Sequence, residues 1–390
     1  MALNLFRRKQ AAPEAKASAA LRATAGVRHG AARPVWTPRD TVSLTRSGYG
    51  ANVVGFRCVR MIAEAAAAVP FRLIEGGRAL SEHPAEALLR RPSPAQDGAA
   101  LLEAVYGHLQ LHGDAYLEAA APEGEAAPTE LHALRPDRMR VIAGPDGWPE
   151  AYEYRVGARA FRFEMDEPAP ILHLRAFHPL DDHYGMSPME AAAASLDVHN
   201  ASSEWAKALL DNAARPSGAV VFRGEAGETL TEEQFARLKT ELEAHHQGAR
   251  NAGRPILLEG GLDWKPMGHS PREMEFLETR SAAAREIALA FGVPPMLLGL
   301  PGDATYANYQ EANRAFHRQT VAPLARRLAG ALSAWLGTRW GGALRFEPDF
   351  DRTPAGALER EALWRRVGEA DFLSVEEKRE MLGLPPRRNG

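Results

Sequence analysis

Five side chains able to bind a metal or move a proton gather in one short stretch: His173, His178, Asp181, Asp182 and His183. Imidazoles and carboxylates are the donors that hard or borderline divalent cations take. A cation held by His178, Asp181, Asp182 and His183 would make this loop the centre of a metal-dependent hydrolase or nuclease. The same residue types also collect in polar loops ahead of a helix, where they serve as turn and capping groups. A second acidic set, Glu190, Asp197, Glu204 and Asp211, recurs every seven residues. Along a straight helix each such step drifts by ~20°, so the four carboxylates stay within ~60° of one face, ~10.5 Å apart. The row fits a solvated face. It fits equally an acidic wall that would repel a polyanion weakly rather than grip it.

The elements that must carry these residues can be read from periodicity and punctuation. Gly55–Val69 has apolar residues at helical spacing and ends at Pro70. Phe71–Ile74 runs into Glu75-Gly76-Gly77-Arg78, a hairpin signal. A helix over Ala99–His112 stops at Gly113. Strands follow over Met139–Ile142, Tyr152–Val156, Phe161–Met165 and Ile171–Leu174. Ser187, Pro188 and Glu190 spell a capping box that opens a long helix over Pro188–Ala213. A small β-α-β insertion over residues 216–268 contains strands at Ala219–Phe222, Pro255–Leu258 and Leu262–Pro266, and a helix over Thr231–His246. A second long helix runs from Pro271 to Phe291 with the stripe Phe276, Ala283, Ile287 and Phe291, flanked by Leu277, Ala284 and Ala288. After a loop dense in Gly and Pro comes a third, Tyr306–Leu336, with Tyr309, Phe316, Leu324, Leu328, Leu332 and Trp335 on one face and a kink expected at Pro323. A strand at Leu344–Phe346 and a helical segment over Ala357–Met381 complete an α+β chain.

Composition sets the outer limits. A chain of 390 residues with 45% hydrophobic and 25% charged side chains is long enough for more than one core. No apolar run approaches the ~20 residues that cross a bilayer, and no signal peptide is expected behind Met1–Gln10. Cys58 is the single cysteine, which forbids an internal disulfide or a cysteine-rich zinc site. The net charge of −3 hides a division: residues 1–40 carry +6 and the rest −9. The basic, Ala- and Pro-rich head reads as a mobile tail, and binding of nucleic acid through it is one possible role. No G-x-x-x-x-G-K-[ST], G-x-S-x-G or H-E-x-x-H occurs. The cluster Gly48-Tyr49-Gly50 with Gly55 lacks the spacing of a dinucleotide fingerprint and reads as a turn.

Four segments in order carry a family resemblance: Asp181-Asp182-His183-Tyr184-Gly185-Met186-Ser187-Pro188, the helix end Phe291-Gly-Val-Pro-Pro-Met-Leu-Leu-Gly299, the long helix with Pro323, and Asp371–Pro385. From about Val42 to Pro386 the chain resembles the portal proteins of long-tailed bacteriophages and of phage-derived gene transfer agents. The resemblance implies a portal-protein fold and a ring, usually of twelve subunits, at one capsid vertex of a virion assembled in the bacterial cytoplasm. Double-stranded DNA would pass through it without sequence readout. Its partners would be the terminase large subunit, a head–tail adaptor and the major capsid protein. The resemblance implies neither cofactor, nor catalysis, nor a membrane.

By the same resemblance, residues 1–40 precede a wing at 41–187, with stem helices at 188–215 and 269–292 and a clip at 216–268. A tunnel loop at 293–306 leads into a long wing helix and strand at 307–353, then a crown at 354–390. The tunnel residues would be Leu300, Pro301, Gly302, Asp303, Ala304, Thr305 and Tyr306. The small side chains of that loop allow close approach to a ring axis. Few cations lie near it, so tight binding of phosphates is not expected.

Overall fold

A computed structural model describes residues 35–80, 82–122, 124–211, 218–222, 262–266, 276–301, 306–340, 343–382 and 384, with a few positions between 231 and 240. Most of the basic head, most of the 216–268 insertion including the expected strand Pro255–Leu258, and residues 302–305 therefore lie outside the described residues.

The chain opens with α1 (Thr41–Thr45), a π-helical turn over Arg46–Gly50, and α2 (Val53–Ala67). Asn52 caps α2, its Oδ1 accepting from the Val54 and Gly55 N–H groups at 3.0 Å each. One face of α2 buries Cys58, Val59, Ile62, Ala63 and Ala66. A hairpin of β1 (Phe71–Glu75) and β2 (Arg78–Leu80) follows, turned by Gly76-Gly77. After α3 (Pro84–Arg90), α4 (Gly98–His112) begins at Asp97, which accepts from the Ala100 N–H at 2.8 Å. It ends at Gly113, where φ is +76°. Leu101, Val105, Tyr106 and Leu109 of α4 pack against α2, each contributing about 1.5–3 kcal/mol by burial.

Two antiparallel sheets come next. β3 (Asp114–Ala120) pairs with β4 (Glu130–Leu134) on one side and β8 (Ile171–Arg175) on the other. β5 (Met139–Ala143), β6 (Pro149–Val156) and β7 (Arg159–Glu164) form a meander. A small second core of Tyr116, Leu134, Met139, Tyr152 and Ile171 joins them.

The long helix expected over Pro188–Ala213 is instead two pieces, α5 (Pro188–Ala191) and α6 (Ala193–Asp211). A turn at Ala192, where ψ is −3°, separates the two pieces, although the Ala192 N–H still reaches the Pro188 carbonyl at 2.9 Å. Beyond β9 (Gly218–Phe222) and its partner β10 (Leu262–Pro266), α7 (Phe276–Ala290) packs along α6. Ala283, Ala284, Ile287, Ala288 and Phe291 are buried as their spacing predicts, whereas Leu277 is 82% exposed.

The third helix is not simply kinked at Pro323. It runs as α8 (Tyr306–Phe316), a π-helical turn over His317–Val321, and α9 (Ala322–Leu336). A proline lacks the N–H that a regular ladder needs, and the wider turn just before it absorbs the mismatch. Phe316, Leu328, Leu332 and Leu336 are buried, while Tyr309 is not. β11 (Arg345–Pro348) returns to the start of the chain and pairs with β1, Phe346 opposite Leu73. The final helical segment is α10 (Pro354–Glu369) and α11 (Val375–Met381), separated at Ser374, which forms a reciprocal capping box with Glu377.

Candidate functional site

The loop that could have held a metal uses its polar groups to fold itself. Asp181 Oδ1 accepts from the His183 N–H at 2.7 Å and the Tyr184 N–H at 2.9 Å. His178 Nδ1 accepts from the Leu180 N–H at 3.1 Å. His173 is not in the loop: its Nε2 meets Asp114 Oδ1 at 2.8 Å, beneath Tyr116, which stacks on it at 4.2 Å. Asp114 in turn accepts from the Gly185 N–H at 3.0 and 3.1 Å. A cavity of about 430 Å³ does lie here, lined by His112, Asp114, Asp137, Asp181 and Glu190 among others. Burial lowers the pKa of His112, which favours its neutral form. Among the described residues no three His, Cys, Asp or Glu groups converge to hold a metal ion. The metal-dependent nuclease reading thus loses its geometric basis.

What these contacts achieve is the placement of a helix. Gly113 and Gly185 touch backbone to backbone: a Cβ on Gly185 would sit 2.1 Å from the Gly113 carbonyl oxygen. The Ala176 N–H donates to that same oxygen at 2.7 Å, and Val141 N–H donates to the Tyr184 hydroxyl at 3.0 Å. Ser187 then caps α5, accepting from the Glu190 N–H at 3.0 Å.

A second seam fixes α6 against α2 and the π-helical turn before it. The cluster read as a mere turn is a close contact: a Cβ on Gly55 would lie 2.1 Å from the Gly48 carbonyl oxygen. A Cβ on Gly48 would meet Met189 Sδ at 2.2 Å and Leu196 at 2.9 Å. Asn52, 2% exposed, sits beside it and donates from Nδ2 to Asn200 Oδ1 at 2.8 Å, with His199 Nδ1 at 3.1 Å. Burial, helped by the Arg280 charge, lowers the His199 pKa, leaving a neutral ring that can accept that bond. Ser195 Oγ donates to Glu286 Oε2 at 2.6 Å, tying α6 to α7.

The acidic row is therefore not uniform. The break at Ala192 puts Glu190 on a different helical piece, half-buried at the cavity. Asp197 accepts from the Thr37 N–H at 3.1 Å and the Thr37 hydroxyl at 2.5 Å. Glu204 is exposed, and Asp211 is the last residue of α6. No spacing argument could have found Thr37, which is 160 residues away from its partner.

The breaker-rich loop is anchored over its described first half. Thr320, in the π-helical turn, donates to the Gly292 carbonyl at 2.6 Å, and Val293 and Leu297 are buried. Pro295–Leu298 form a short 3-10 turn, so the first half of the 293–306 segment is packed structure. Leu300 leans on the core, Pro301 is exposed with its carbonyl bonded to Arg285, and Tyr306 begins α8. Gly302, Asp303, Ala304 and Thr305 lie outside the described residues.

Comparison with known proteins adds to this geometry. The model of a family described as phage portal protein matches residues 54–383. A protein of Rickettsia felis is 39% identical over 349 residues, covering 88% of this chain and 89% of its own. The portal protein of Enterobacteria phage HK97 is 25% identical over 351 residues, covering 86% of this chain and 79% of its own. Among solved structures, a chain of the neck of an empty gene transfer agent particle, determined with sixfold symmetry, is 61% identical with a TM-score of 0.74. A chain of the native particle's neck, determined with twelvefold symmetry, is 60% identical with a TM-score of 0.71. Each match covers 92% of this chain and 97% of the other.

Proposed function

The chain belongs to the phage portal protein family, and on that premise we propose that twelve copies form the ring through which double-stranded DNA is packaged into a capsid and later leaves it. As a portal protein it is a structural component of the capsid and forms an oligomeric ring. The observation that carries the finer reading is the pair of glycine seams. They seat α5 and α6 on the wing, Ser195 ties α6 to α7, and Thr320 grips the start of the 293–306 segment. A loop on so fixed a base can narrow a channel reproducibly around every subunit. Leu300 to Tyr306 would line that constriction, with Asp303, Thr305 and Tyr306 touching the phosphate backbone through water rather than reading bases.

In the same reading, the 216–268 insertion meets the terminase large subunit during packaging and a head–tail adaptor afterwards. The wing meets the major capsid protein. Assembly takes place in the bacterial cytoplasm, where the reduced Cys58 poses no difficulty. The test is the mass and projection of the purified full-length chain. A single species near twelve times 42.5 kDa with a central channel is expected. Monomers or dimers under every condition would sink the ring.

Glu204, which is exposed, and Asp211, at the end of α6, would face the channel and keep DNA sliding. Converting both to lysine should leave the ring intact and slow packaging several-fold through phosphate attraction. Packaging at the unaltered rate would place them elsewhere.

A further inference from the structure

A closed ring of identical subunits is built from heterologous contacts, so each subunit must carry a projecting surface and, on a different face, a surface that receives it. The described residues contain a matched pair of this kind. The projection is the 177–182 loop. Phe177 is 84% exposed and Leu180 is 92% exposed, which are among the most exposed large apolar side chains of the chain. The loop is nonetheless tightly braced: His178 and Asp181 accept from its own backbone, and Arg175 donates to the Asp182 carbonyl. Ordering this loop at an interface would therefore cost little conformational entropy.

The receiving surface is a cavity of about 490 Å³ at the opposite end of the wing. Val69, Phe71, Leu73, Leu89, Leu102 and Phe346 make its apolar lining. Ala68 is exposed beside them, and Arg90 and Arg352 are also among its lining residues. The two features are tied to the two ends of one helix. The cavity includes Asp97–Leu102 at the start of α4, and the loop leaves β8 just after Ala176 bonds to Gly113 at the end of α4. A helix of that length separates them by about 22 Å. They cannot meet within one subunit, but they can meet between neighbours.

We propose that the Phe177–Leu180 projection of each subunit seats in the α2–α4–β1 cavity of the next, closing the ring head to tail. This rests on the ring reading above. The oligomeric ring supplies the occupant, a second copy of the chain, and the cavity rim sets Arg90 and Arg352 beside Glu86 and Asp97. Asp182 is exposed on the projection, and Arg90 and Arg352 line the cavity with side chains 76% and 78% exposed. Each arginine has one carboxylate of its own subunit, Glu86 at 2.6 Å and Asp349 at 3.5 Å, and still offers most of its guanidinium to an incoming acid.

Cysteine pairing in the full-length chain tests the seat directly, because the native Cys58 is fully buried. Ala68→Cys combined with Leu180→Cys should give, under mild oxidant, a ladder of covalent multimers up to the whole ring, and neither single variant should. Phe177→Asp should reduce the ring fraction at least tenfold by mass while leaving the monomer's circular dichroism melting curve unchanged. Asp182→Arg should weaken the ring, and Arg352→Asp in the same chain should restore it. The proposal is overturned if rings form in every variant as in the parent, or if they form without the ladder. Coupling of Ala68→Cys to Phe372→Cys instead, another phenylalanine at 86% exposure, would also overturn it, since a different segment would then fill the cavity. Absence of rings from the parent chain on the same samples would bring down the ring reading itself, a result readily told apart from the others.

Discussion

The seam between α2 and α6 and the β5–β6–β7 meander solve the problem of holding two segments together in opposite ways. At the seam, the Gly48 carbonyl and the Gly55 Cα are in direct contact and Asn52 serves two helices from a buried position. In the meander, β7 is mostly exposed, and cross-strand and same-strand pairs such as Arg162 with Glu150 and Glu164 lie in water. Buried contacts with no spare volume transmit position faithfully and tolerate nothing. Exposed pairs transmit little and tolerate much. The seam sits where the orientation of α6 is set, whereas the β7 edge of the meander lies mostly in water.

The comparison breaks first at Gly55. Gly55→Ala forces a Cβ against backbone that cannot move aside, so a loss of about 3 kcal/mol or more in urea unfolding is expected. A loss under 1 kcal/mol would mean the seam opens easily. Asn52→Ala comes second: it removes a cap and takes a partner from the buried His199 and the half-buried Asn200, costing about 2–3 kcal/mol. Asn52→Asp keeps the cap but not the two donated bonds, and so should fall between parent and alanine variant. The smallest effect belongs to the meander. Arg162→Ala, at a side chain 47% exposed, should change stability by less than about 0.5 kcal/mol and lose even that at high salt. A larger loss would mean that the meander, too, is a precision joint.

The uneven legibility of this molecule follows the same division. The Gly76-Gly77 hairpin, the stop at Gly113, the Ser187 cap and the buried stripe of α7 were all readable, because each depends on residues within a turn or two of one another. The acidic row was readable as spacing but not as chemistry. Its regularity assumed an unbroken helix, and Ala192 breaks it while Thr37 claims Asp197. The His178–Asp182 loop offered the right atoms for a metal, yet His178 Nδ1 and Asp181 Oδ1 accept from nearby backbone N–H groups, and among the described residues no three such groups converge.

From its sequence alone, then, the main helices, the β1–β2 hairpin, the split charge and the family resemblance were determined, since caps, periods and motif order are local and linear. The docking of those elements was not. That Gly48 faces Gly55, that Gly113 faces Gly185, that β11 closes on β1 across most of the chain, and that a π-helical turn accommodates Pro323 are matters of three-dimensional proximity. A glycine reads the same in sequence whether it turns a loop or admits another backbone. Only the atom standing where its Cβ would be tells the two apart.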